Sequence, residues 1–80
     1  MRIEVRLFAG LRRQAPPEAQ RGRFSLTLHQ GAALARVLSD LGIDPGAVAV
    51  LLVNGAAKPQ LETVLSPGDV VSLFPPVAGG

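Results

Sequence analysis

Residues 2–8 alternate in polarity, with Ile3, Val5 and Leu7 on one side and Arg2, Glu4 and Arg6 on the other. A period of two is that of a half-buried β-strand. Phe8 follows on the polar side, where a large ring is out of place. It either folds over the sheet edge or belongs to an exposed contact patch. Residues 23–29 alternate again, with Phe24, Leu26 and Leu28 opposed to Arg23, Ser25 and Thr27. They predict a second strand, antiparallel to the first. Between the two, residues 9–15 suit a short helix with Leu11 as its apolar contact. Pro16-Pro17 ends it, and a turn-rich loop runs on to Gly22.

The period changes in residues 31–41. Leu34, Val37, Leu38 and Leu41 recur at i, i+3, i+4 and i+7, the stripe of an amphipathic helix, and Gly42 supplies a left-handed stop. Asp44-Pro45-Gly46 is a turn signal. Residues 48–53 are uninterrupted Val, Leu and Ala, which predicts a central strand buried on both faces or nearly so. Asn54-Gly55 is the strongest short turn signal in the chain. Residues 56–65 contain Pro59 and allow at most a short edge strand and a helical turn. Ser66-Pro67-Gly68-Asp69 fits a type II turn. The last strand, residues 70–74, sets Val71 and Leu73 on one face and Val70, Ser72 and Phe74 on the other. This order predicts an α+β fold: a mixed sheet of four to five strands with one main helix across it. Its first and last strands would pair in parallel at the centre.

Composition narrows the chemistry. Eighty residues, 48% of them hydrophobic, make one compact domain rather than a disordered chain. The longest apolar run, residues 47–53, is too short to span a bilayer, and the amino-terminal residues lack the apolar block of a secretion signal. The expected compartment is cytoplasmic, with no membrane partner. There is no cysteine, which removes disulfides, thiolate metal sites and a cysteine nucleophile. The one histidine, His29, cannot hold a metal alone and reads as structural or solvent-facing. The net charge of +2 is uneven: Arg2, Arg6, Arg12, Arg13, Arg21 and Arg23 all precede residue 24. These arginines are dispersed, and three Phe with no Tyr or Trp leave little to stack on bases, so nucleic acid is not an expected partner. A solvated face, or one for an acidic or phosphate-bearing partner, fits better.

The tail is the chemically distinctive stretch. Residues 70–80 carry no charged side chain, and the sequence closes on Pro75-Pro76-Val77-Ala78-Gly79-Gly80. Residues 1–74 read as a folded body and residues 75–80 as an extended, flexible tail. Pro75 and Pro76 stiffen its base, which limits the entropy lost on insertion into a partner. Ala78 keeps it narrow, and Gly79 admits backbone conformations closed to other residues. Six residues at about 3.3 Å each reach roughly 20 Å. No other catalytic set is visible: there is no clustered acid group, and no phosphate-cradling glycine loop with which the chain would bind ATP itself.

Leu7-Phe8-Ala9 with Leu11-Arg12, Val53-Asn54-Gly55, residues 65–71 and above all residues 73–80 carry a resemblance. The chain resembles the β-grasp, ubiquitin-like sulfur carriers of the MoaD/ThiS type, and within them the small subunit of molybdopterin synthase. The long segment 9–22 and the Phe-Pro-Pro stretch favour that branch over the thiamin carriers. A departure is Ala56-Ala57-Lys58-Pro59, where such proteins often place a larger apolar residue.

The resemblance implies that the Gly80 carboxylate is adenylated with ATP by a partner activating enzyme, then converted to a thiocarboxylate by a sulfur donor protein. The sulfur would pass to a pterin precursor in the large subunit of molybdopterin synthase. It further implies that Gly80 and Gly79 are the reacting end and that Phe8, Phe74, Pro75, Pro76, Val77 and Ala78 contact partners. No cofactor is expected on the isolated chain. Arg12, with Arg13, is either a docking charge or part of a solvated helix face. Phe8 and Phe74 are either contact residues or buried rings. The alternatives are a carrier of another pathway (thiamin or tungsten cofactor), a modifier conjugated through Gly80, and a passive module whose Gly-Gly is incidental.

Overall fold

Ile3, Val5 and Leu7 are each no more than 1% exposed, as their alternation requires. In the computed structural model, which describes residues 1–76, they belong to strand β1, Arg2–Leu7. Strand β2, Arg23–Thr27, pairs antiparallel with it, with Ile3 opposite Leu26 and Val5 opposite Phe24. Helix α1 is Leu34–Leu41. Then come β3, Val50–Val53; β4, Ala56–Ala57; and β5, Val70–Phe74. The five-stranded sheet runs β2-β1-β5-β3-β4. β1 and β5 are parallel, with Val5 beside Val71 and Leu7 beside Leu73, and the other pairs are antiparallel. This is the β-grasp arrangement, and the parallel pairing of first and last strands is as expected.

The helix stripe explains the core. Leu34, Val37 and Leu38 are buried and Leu41 half-buried. They share one hydrophobic core with the inward side chains of β1, β2 and β5. Each fully buried aliphatic side chain contributes about 1.5–3 kcal/mol relative to exposure. The helix begins at Leu34 rather than near Gly31, which sits at φ +83 in the approach. No side chain caps its start. Instead Leu34 and Ala35 N–H donate to the Thr63 and Leu61 carbonyls, 3.0 and 2.9 Å away. This meets two of the donors a helix leaves unpaired. At its end Gly42 takes φ 69, and Ile43 N–H donates back to Leu38. No helix among the described residues is long and apolar enough to cross a membrane.

Two turns are locked to each other. Asn54 and Gly55 have φ of 52 and 83, the mirror-image turn that suits the two-residue β3–β4 hairpin. Gly68, at φ 84, takes the positive-φ corner of the turn before β5. The Asn54 side chain donates to Asp69 Oδ1 and accepts from Val70 N–H, both at 2.9 Å. Asp69 Oδ2 accepts from Ser66 N–H at 2.8 Å. The Val53-Asn54-Gly55 and Pro67-Gly68-Asp69 motifs are thus one clasp holding β3 beside β5.

Two expectations are met in a more specific form, and a third is corrected. The segment after β1 is a 3-10 helix, Ala9–Gln14, with Leu11 buried as expected. The loop before β2 ends in a tight hairpin turn at Arg21-Gly22, where Gln20 and Arg23 exchange backbone hydrogen bonds of 3.0 Å. Most consequentially, β3 is not buried on both faces. Val53 is buried, Leu51 and Leu52 are half-buried, and Val50 is 43% exposed. The strand lies next to the edge strand β4, and α1, being the single α-helix of the described residues, covers one face of the sheet. The other face of β3 stays in water.

Candidate functional site

The uncovered face is laid out by strand register. Its outward side chains form cross-strand rows: Arg23, Arg6, Ser72, Leu52 and Ala57 make one, and Phe74 with Val50 opens the next. Moving from β2 to β4, the face changes from charged to apolar.

Phe8 completes the apolar end. It lies one residue past β1 with extended φ −118 and ψ 151, so the alternation continues and its ring falls on the open face. Its N–H donates to Leu73 at 3.2 Å, and its carbonyl accepts from Leu11 N–H at 3.1 Å. The backbone is therefore held on both sides. Ala9, at φ 51, then turns the chain away. The Phe8 and Phe74 rings stack with centroids 4.1 Å apart and planes 10° from parallel. Such a pair adds about 0.5–1.5 kcal/mol beyond the area it buries. Both rings remain half-buried. Of the two readings open for Phe8, the geometry is that of a ring on the open face, packed against another ring.

The stack forms one wall of a shallow apolar groove. Ala9, Gly10, Ala49, Val50 and Leu52 line it, and Pro75 and Pro76 run along its rim. β5 is the central strand, so the chain leaves the middle of the sheet at Phe74 and passes directly into the two prolines. Ala49 N–H donates to the Phe74 carbonyl at 2.8 Å and anchors this exit point. Four of the expected site residues, Phe8, Phe74, Pro75 and Pro76, are therefore brought together. Val77, Ala78, Gly79 and Gly80 lie outside the described residues.

Arg12 sits on the other side of Phe8. Its stem packs on Gly22 and its Nε donates to the Leu7 carbonyl at 3.4 Å. A Cβ at Gly22 would collide with that same carbonyl oxygen. This close approach explains why a glycine at φ 78 stands there. Arg12 is exposed and lines a charged cleft with Arg6, Arg21 and Arg23. Arg13 and His29 are exposed.

Ala49, Val50, Leu52 and Gly10 had not been picked out from the sequence. The signal was present: residues 48–53 are apolar on both sides, and a sheet with one helix can hide only one of them.

Three solved structures are similar over the whole chain. The Haloferax volcanii HVO 2177 protein is 30% identical, with a TM-score of 0.75, and the match covers 100% of this chain and 87% of that one. SAMP1, small archaeal modifier protein 1 of the same organism, is 26% identical with a TM-score of 0.74 and full coverage of both chains. A chain from the complex of subunits 1 and 2 of the Helicobacter pylori molybdopterin-converting factor is 28% identical, with a TM-score of 0.64 and full coverage of both. No curated protein sequence matches. The ThiS family model matches residues 5–80, from the middle of β1 through the Gly-Gly pair. A β-grasp body whose central strand passes into Pro75-Pro76 beside an apolar groove agrees with that match, and the chain belongs to the ThiS family.

Proposed function

We propose that this protein is a sulfur carrier whose Gly80 carboxylate is the reacting group, and that it serves as the small subunit of a molybdopterin synthase. The observation that carries the reading is the placement of the apolar groove. It starts where the tail leaves the central strand, so a partner that covers the groove receives the tail. Likeness to a subunit of the molybdopterin-converting factor supports this branch of the family, as do the long segment between β1 and β2 and the Phe74-Pro75-Pro76 stretch.

A carboxylate is a poor electrophile. In the proposed cycle a Gly80 carboxylate oxygen attacks the α-phosphorus of ATP in an activating enzyme, and pyrophosphate leaves. The terminal sulfur of a donor persulfide then attacks the acyl-adenylate carbonyl and displaces AMP. A thiol reduces the resulting acyl disulfide, which frees the thiocarboxylate and leaves the thiol joined to the donor as a disulfide. The chain's own part is positional. The groove docks the body, the prolines direct the tail, and the small terminal residues enter the partner's site. The large subunit would hold the pterin precursor, and the cytoplasm is the compartment that suits these partners.

The test is intact-mass measurement of the full chain after incubation with ATP, a cognate activating enzyme and a persulfide donor. The expected product has one oxygen replaced by sulfur, localised to Gly80. Deleting Gly79 and Gly80 removes it while the fold persists. An unmodified chain in the presence of a competent enzyme would sink the proposal.

Likeness to SAMP1 favours a second reading, a modifier joined through Gly80 to lysines. The same adenylate serves both. Isopeptide-linked conjugates of the chain in cells of its own source, lost on deletion of Gly79 and Gly80, would select the modifier.

A further inference from the structure

Beyond Phe8 the open face is charged. Outward side chains of β1 and β2 meet the loop that carries Glu18 and Arg21, and the cleft between them is lined by Arg6, Arg12, Arg21 and Arg23, with Glu4 and Glu18. Four guanidinium groups outnumber two carboxylates, and one of those, Glu4, is already paired with Arg6. Among the described residues, Arg12, Arg21 and Arg23 form no ion pair. The frame holds these cations close together. Arg6 and Arg23 are direct cross-strand neighbours, Arg21 projects from the hairpin turn at φ 55, and Arg12 is laid against Gly22. Like charges opposite one another in a sheet repel, and an incoming anion relieves that repulsion.

We propose that this cleft takes an acidic, carboxylate-bearing segment of the same protein partner that covers the Phe8–Phe74 groove. That such a partner exists rests on the sulfur-carrier reading. Two observations choose the occupant. First, several main-chain donors in the cleft are spent. Gln20 and Arg23 N–H pair with each other's carbonyls, and Leu7 N–H pairs with Gly22. What is offered is a set of spaced guanidinium groups on flexible stems, which matches carboxylates spread along a chain. Second, Phe8 lines both the cleft and the groove. A surface seated on the groove therefore has the cleft at its margin. Charges at an interface margin set the association rate and its salt dependence more than the final affinity. The groove holds the partner, and the cleft steers it.

The test uses the full chain in two assays. In the first, nuclear magnetic resonance follows the ¹⁵N-labelled protein during titration with a hexaglutamate peptide and, separately, with inorganic phosphate at matched charge. In the second, stopped-flow mixing with a purified molybdopterin-synthase large subunit compares wild type, R21E/R23E and the control R36E/K58E, which makes the same change in net charge elsewhere. Hexaglutamate is expected to shift the amides of Arg21, Gly22 and Arg23 in the wild type and not in R21E/R23E. At low salt R21E/R23E should associate about tenfold or more slowly, converging on wild type at high salt, with R36E/K58E slowed far less. Equal shifts from phosphate, no localised shift, or equal slowing by the two double variants would overturn the proposal. Sulfur loading of Gly80 on the same wild-type preparation is read by mass. A failure of the carrier reading is thereby told apart from a failure of the cleft, whose peptide shifts do not depend on loading.

Discussion

Leu73 and Phe74 are neighbours in β5, yet they lie in different solvents. Leu73 is 0% exposed beneath α1, whereas Phe74 shares the open face with Phe8 and the 43%-exposed Val50. The same strands supply both faces. Apolar character alone therefore does not mark the core of this protein: what separates the two faces is that one helix covers one side. The covered face holds the fold together. The open face leaves apolar surface exposed beside the point where the chain leaves β5 at Phe74.

That contrast can be broken by experiment. The largest effect should come from Leu73→Ala, which leaves a cavity under the helix and lowers stability by about 2–5 kcal/mol in urea unfolding. Phe74→Ala, one residue away, should cost at most about 2 kcal/mol, mainly the lost ring stack and partial burial. Equal costs would erase the distinction between the faces. Gly22→Ala comes next, at about 1–3 kcal/mol, because it combines a positive φ with a clash against the Leu7 carbonyl. Asn54→Ala should lose about 1–2 kcal/mol by opening the clasp to Asp69 and Val70, seen as a lower thermal midpoint. The smallest stability change is expected for Val50→Ser, within about 1 kcal/mol of wild type, while its binding to the large subunit weakens by calorimetry. A Val50→Ser chain that unfolds early but binds normally would reverse the assignment of that face.

The covered face was legible in the sequence because periodicity reports burial on one side. Ile3, Val5 and Leu7 alternate, Leu34, Val37 and Leu38 repeat at helical spacing, and each landed in the core. Turn chemistry was legible for a similar reason: Gly42, Gly55 and Gly68 occupy positive φ where their flanking residues suggested. The open face was harder. Residues 48–53 look like a strand buried twice over, and only the count of available helices shows that one side must stay bare. The Phe8–Phe74 stack depends on parallel pairing between strands more than sixty residues apart in sequence, which no local pattern encodes. The charged cleft likewise needs Arg12 folded against Gly22, a contact set by the turn at Arg21-Gly22 rather than by spacing.

The central claim is that the exposed apolar surface around Val50 serves partners that act on Gly80, and that the fold does not depend on it. Intact mass after incubation with ATP, the activating enzyme and the sulfur donor tests it most directly when wild type is run beside Val50→Arg. Wild type should gain sulfur at Gly80, while Val50→Arg should stay unloaded with an unchanged unfolding midpoint. Loading of Val50→Arg at the wild-type rate, or no loading of the wild type by a competent enzyme, would contradict it.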